Sequence, residues 1–153
     1  LVEIQALVAP SYYASPRRMT TGVDHNRTLM ILAVLEKRVG LSLANQDVYV
    51  NVAGGVKIIE PAVDLAIALA VASNFREVPI GPETIVLGEI GLAGEVRAVG
   101  QMEKRLKEAG RLGFTQAIVS GRNTHKMNHS LGLEIHGVKT LREAIDIGLG
   151  ARE

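Results

Sequence analysis

Apolar and polar positions alternate or recur along this chain in a way that predicts a mixed succession of strands and helices. Residues 2–9, VEIQALVA, have strand composition and stop at Pro10. The polar stretch SYYASPRRMTTGVD, broken by Pro16 and Gly22, reads as a loop with a short strand over 17–20. Asp24 is placed to cap a helix reaching about Arg38, with Leu29, Leu32, Ala33 and Leu35 on one side and Gly40 as the stop. Residues 47–53, DVYVNVA, form an alternating strand ending on Gly54 and Gly55, and 56–59 extends it past a bulge or turn. Pro61 suits the first turn of a helix. From 62 to 72 the only polar residue is Asp64, and a helix apolar nearly all round belongs in the middle of a domain.

The second half continues the pattern. A loop with Pro79, Gly81 and Pro82 leads to a strand over 84–88; glycines then recur as in a hairpin whose second arm is 95–99. An amphipathic helix over 100–112 turns Met102, Leu106, Ala109 and Leu112 inward and ends at Gly113. A strand over 116–120, a polar loop over 122–130, a short strand over 134–138 and a helix capped by Thr140 complete the chain. No repeat or linker divides it. The economical expectation is one α/β (α+β) domain over 1–150, with helices packed on a mixed sheet.

Composition narrows the chemistry. Aromatic residues make up 3% of the chain, so platforms for stacking single-stranded bases are scarce. The formal charge of +1 makes no case for nucleic acid by itself; only local clustering of Arg and Lys could. The absence of Cys excludes disulfides, thiolate catalysis and cysteine zinc sites, and is compatible with a cytosolic protein. No apolar run approaches the ~18 residues needed to span a bilayer. The opening LVEIQALVAP has neither an initiating Met nor the form of a signal peptide, and reads as a piece of a longer protein.

Several signatures are missing. There is no G-x-x-x-x-G-K-[ST] phosphate loop and no G-x-S-x-G elbow. His125 and His129 stand four apart, but in a loop-like segment without an evident third ligand, so a solvated loop is the better expectation than a metal site. The glycines at 54, 55, 88, 91 and 94 could bring backbone close to a ligand, though bulges and hairpin turns more often account for them. Asp64 is either satisfied by the helix amino terminus or paired with an Arg across an interface.

Longer segments resemble a known family. DVYVNVAGGVKIIEPAVDLAIALAVA (47–72) is similar to the Lon peptidase segment that carries the nucleophile, and VLGEIGLAGEVRAVGQMEKR (86–105) to the second Lon signature. The opening block, VEIQALVAPSYYASPRRMTTGVDHNR followed by VLEKRVGL, resembles in particular the carboxy-terminal domain of the RadA (Sms) family of bacterial DNA-repair proteins. The resemblance implies a Lon peptidase-like fold, shared with a domain of a ribosomal protein. It places the family's nucleophilic Ser on Ala62 and its dyad Lys on Glu103. A methyl group and a carboxylate cannot share a proton as a hydroxyl and an amine do, so no catalytic residue and no peptidase activity are expected. Lys104 would point about 100° away around its helix. Asp64 falls where the family has a glycine and would crowd the old cleft.

The resemblance further implies a bacterial, cytoplasmic parent that is a DNA-dependent ATPase, promotes branch migration and acts beside a RecA-like recombinase. ATP and zinc belong to parts of that parent outside this chain; here no cofactor and no membrane are expected. The domain would support a hexameric ring and touch DNA. The candidate DNA contacts are Arg18, Arg27, Lys57 and Arg97, with Arg17 beside them, on loops that a Lon-like fold turns toward the emptied cleft; intersubunit ion pairs or plain surface are the alternatives. Lys104, Lys107 and Arg111 interleave with Glu103 and Glu108 and read as a solvated face with a Glu103–Lys107 pair, while Lys37 and Arg38 suit a helix carboxy terminus. Competing readings are an oligomerisation scaffold without DNA, an active Ser–Lys peptidase, and a small-molecule kinase, whose phosphate loop KIIEPAVD (57–64) does not supply.

Overall fold

The computed structural model describes residues 1–124 and 132–150. The chain is mixed α/β, with helices against sheets of both pairing types. Strand β1 (Ile4–Pro10) lies antiparallel to β3 (Gln46–Val52), and β2 (Arg18–Thr21) lies parallel to β3 on its other side. The pleat sends Val48, Val50 and Val52 inward. On the opposite face the register aligns Leu7, Tyr49 and Met19 in one row, with Leu7 and Met19 about half exposed.

Helix α1 (His25–Val34) begins as expected: the Asp24 carboxylate accepts from the Arg27 backbone N–H at 2.8 Å. Its buried side differs from the expected one. Thr28, Ile31, Leu32, Val34 and Leu35 are inside, whereas Leu29 and Ala33 are exposed. The helix runs on into a π-helical turn, Leu35–Val39, whose wider winding rotates the apolar face before Gly40, at φ 84°, stops it. Residues 56–60 are extended but pair with no strand, so the expected continuation of β3 is absent. The Ile58 N–H donates instead to the Gly22 carbonyl at 2.7 Å.

Pro61 opens a 3-10 turn, Pro61–Val63, that continues as α2 (Asp64–Arg76). Leu65, Ile67, Ala68, Leu69, Val71 and Ala72 are buried, as a centrally placed helix requires. A second sheet joins β4 (Thr84–Val86), β7 (Gln116–Ser120) and β8 (Glu134–Val138), all parallel in the order β4-β7-β8, while β5 (Glu89–Ile90) and β6 (Val96–Arg97) form the expected hairpin. Along β7 the alternation divides the core. Ile118 packs with α2 and α5 (Leu141–Leu149); Ala117 and Val119 pack with Met102, Leu106 and Ala109 of α3 (Met102–Arg111). Leu112, expected inward, is 57% exposed because α3 has already ended. A one-turn helix, α4 (Gly121–Thr124), begins the segment expected as loop.

Candidate functional site

The turn that starts α2 is fixed to the strand after β4. The Gly88 N–H donates to the Ala62 carbonyl and the Leu65 N–H to the Gly88 carbonyl, both at 3.0 Å. Only a glycine fits at 88, since a Cβ there would stand 2.8 Å from the Val96 side chain. These bonds hold Ala62 at the wall of a cleft of about 570 Å³. Ile4, Ile58, Ala66, Ile85 and Leu87 give the cleft an apolar lining, and Glu60, Lys104, Arg105 and Glu108 supply its charges. None of its lining residues is Ser, Thr, Cys or Tyr.

Two expectations about this cleft are corrected. First, Glu103 does not line it, and Lys104 does. Burial of Met102, Leu106 and Ala109 sets the rotation of α3, so positions 101, 104, 105 and 108, three and four apart, share the face toward Ala62. Arg105 pairs with Glu60 and also donates to the Gly100 carbonyl at 3.0 Å. The ion pair on the outer side is Arg111–Glu108 at 2.8 Å rather than Glu103–Lys107.

Second, Asp64 does not crowd the cleft. Its carboxylate points to the other side of α2 and is fully buried. There it accepts from Arg27 Nε at 2.5 Å, from Arg27 Nη2, and from the Ile90 backbone N–H at 3.0 Å. The Arg is supplied by α1 of the same chain. Hydrogen bonding to Asp64 raises the Arg27 pKa against the opposing effect of burial, and Glu89, 3.5 Å away, adds to the rise.

The basic residues fall into two groups rather than one face. Arg17 and Arg18 stand at the start of β2, level with Val48, whereas Lys57 follows the far end of β3; the four-residue strand between separates them by roughly 13 Å at ~3.3 Å per residue. The Arg17 guanidinium lies over the Tyr13 ring, 4.0 Å from its centroid, and its backbone N–H donates to Asp47 at 2.7 Å. Arg18 donates to the carbonyls of Gln46 and Leu43, the latter at 2.9 Å. Arg27 is held by Asp64 as described. Lys57 is exposed without an ion-pair partner among the described residues. Arg97, 57% exposed, pairs with Glu95 at 3.2 Å and sits opposite Glu89 in the hairpin, which connects it to the Arg27 end of the molecule.

Arg97 also borders a groove with Arg122 and Lys139, two exposed cations that sequence reasoning did not single out. Their place at the carboxyl ends of β7 and β8 emerges only from the parallel pairing. His125 and His129 lie outside the described residues. Among those described, no three His, Cys, Asp or Glu residues form a potential metal-holding group, and no helix is long and apolar enough to cross a membrane.

The class defined by this geometry is an α/β domain with a hydroxyl-free apolar cleft and separately placed surface cations. The chain belongs to the family described as subunit ChlI of Mg-chelatase, whose model matches residues 20–123. It is 52% identical over 150 residues to the DNA repair protein RadA of Bacillus subtilis (strain 168), which covers 98% of this chain and 33% of that protein. Against the DNA repair protein RadA of Synechocystis sp. it is 52% identical over 153 residues, 100% of the chain and 30% of the relative. For the protein of that name in Listeria monocytogenes the figures are 48% over 145 residues, 95% and 32%. The chain therefore spans about a third of the length of these curated relatives. Their name agrees with the RadA resemblance of the opening block.

Proposed function

We propose that this chain is the non-catalytic, Lon-like domain of a DNA-repair ATPase of the RadA kind, and that it contacts DNA without reading sequence. The observation that carries this reading is the similarity, over 98% of the chain, to proteins named DNA repair protein RadA. The empty hydroxyl positions around Ala62 support the non-catalytic part: a lysine at 104 has no nucleophile beside it to deprotonate. With no G-x-x-x-x-G-K-[ST] in the sequence, nucleotide chemistry, and the promotion of branch migration it would drive, are assigned to other parts of the parent, as are zinc and contact with a RecA-like recombinase.

DNA contact falls to Lys57 and Arg97, with Arg17 as an outlying third. Arg18 and Arg27 already donate to protein oxygens, and a phosphate would have to displace those partners. The test is fluorescence anisotropy with a double-stranded oligonucleotide at two salt concentrations. Wild type binds with an affinity that falls with salt, and Lys57→Ala/Arg97→Ala weakens binding equally across sequences and lowers the salt slope by about 2. Unchanged affinity and slope in the double variant would remove these residues from the reading.

Self-association into a six-membered ring belongs to the same proposal. The row Leu7, Tyr49 and Met19 supports it, as an apolar stripe across an open sheet face. Leu7→Glu/Met19→Glu shifts the protein to monomer in sizing chromatography; if the wild type is itself monomeric at high concentration, the ring is wrong.

A further inference from the structure

The cleft beside Ala62 remains open, because Asp64 turns away from it, and it is bordered by two strand edges that no other strand occupies. On β4 the Glu83 carbonyl and the Leu87 N–H face β7, through bonds of 2.9 Å from Thr115 and 3.0 Å to Ile118. Strand parity therefore directs the N–H and C=O of Val86, which lines the cleft, to the free side. The neighbouring group of the same parity, Gly88, is already bonded to Ala62 and Leu65, so the unpaired edge begins where the 62–65 turn leaves off. On β1 the same logic applies. The Glu3 carbonyl accepts from Ala53 on the β3 side, and the Val8 N–H points outward to the Asn74 side chain at 2.7 Å. The backbone groups of Ile4, also lining the cleft, face outward with that of Val8 and lie beyond the cap that Asn74 provides.

We infer that this cleft is a docking groove for an extended segment of a partner polypeptide, bound by strand addition to the β4 edge with an acidic side chain of the segment at Lys104. An occupant of a merely apolar kind would leave the Val86 donor and acceptor unmet. A polypeptide in β conformation supplies both at strand spacing and sets alternate side chains on Ile4, Ile58, Ala66 and Ile85. The volume of about 570 Å³ lies within the range of about 300–1,000 Å³ usual for ligand pockets. Charge selects the sign of the segment. Glu60 and Arg105 neutralise each other and Glu108 is paired with Arg111, which leaves Lys104 as the uncompensated charge on the rim. This inference does not rest on DNA contact, which involves other residues.

The probe is a fluorescein-labelled peptide, acetyl-Val-Thr-Val-Thr-Val-Glu-amide, titrated into the chain by anisotropy, with amide shifts followed by NMR. Saturable binding is expected, with the largest shifts at Val86, Ile4 and Ile58. Ala66→Phe, which fills the groove, weakens binding at least about tenfold. Lys104→Glu, an exposed change that leaves the fold intact, weakens it by about tenfold and recovers it when the peptide ends in Lys. A peptide of equal length with Pro at the central positions does not bind, because it cannot add to an edge. Failure of the first peptide to saturate by about 1 mM would overturn the proposal. So would binding that ignores both Lys104→Glu and the proline substitution.

Discussion

Two pairs of cations, Arg18 with Arg27 and Lys57 with Arg97, carry equal charge in unlike surroundings. The first pair faces inward: Arg18 ties the start of β2 to carbonyls before β3, and Arg27 clamps α1 to α2 and, through Asp64 and Ile90, to the hairpin. The second pair stands in solvent, with one exposed ion pair between them. The difference is one of desolvation. A guanidinium that has exchanged water for fixed protein oxygens is part of the framework, whereas an exposed one is available to a partner. Variants in the two pairs should therefore separate stability from binding.

The largest effect is expected at Arg27. Arg27→Ala leaves the fully buried Asp64 carboxylate with only the Ile90 N–H, at a cost of about 3 kcal/mol in urea unfolding. Arg27→Met combined with Asp64→Leu recovers a good part of that loss, because the buried charge goes with its partner. A single variant within about 0.5 kcal/mol of wild type would mean that water reaches Asp64 and that the clamp is not structural.

Arg18→Ala follows, with about 1–2 kcal/mol from two lost charge-assisted bonds to carbonyls. Arg18→Lys restores only part of it, since one ammonium cannot span the two acceptors as the guanidinium fork does. The comparison sharpens if DNA affinity of the folded fraction is unchanged in this variant. By contrast, Lys57→Ala/Arg97→Ala should stay within about 0.5 kcal/mol in stability while losing DNA. An inverted pattern, with Arg18 governing DNA and Arg97 governing stability, would break the division.

Much of the framework can be read from local chemistry. The Asp24 cap, Pro61 at a helix start, the all-apolar run through 72 and the alternation of 47–52 each depend on neighbours a few residues away. What could not be read depends on distant parts. The buried side of α1 follows from a π-helical turn ten residues on, so Leu29 and Ala33 look suitable and point outward. At the site, Ala62 could be placed on a cleft, but the choice between Glu103 and Lys104 follows from how Met102 and Leu106 rotate α3 against the second sheet. Asp64 marked itself as an ionisable residue in an apolar helix; its partner Arg27, 37 positions earlier, did not. The roles of Arg18 and of the Val86 edge are fixed by strand order, and no spacing along the chain encodes that.

The smallest effect concerns Asp47, which anchors the approach to β2 by accepting the Arg17 backbone N–H at 2.7 Å. That bond, with help from Ser11 and the charges of Arg17 and Arg18, holds the Asp47 pKa below its ordinary value of 3.8. A carboxylate depressed in the folded state stabilises it fully above the unfolded value, and the contribution disappears as pH falls from 3.8 through the lower folded value. Asp47→Asn should thus lower the denaturation midpoint at neutral pH and flatten the loss of stability below about pH 4, so that the two proteins converge in acid. A residual acid slope persists in the variant, because Glu95 is also held low, first by its own backbone N–H and then by Arg97. Parallel stability curves for wild type and variant down to about pH 2 would show that the Arg17–Asp47 contact does not depend on charge.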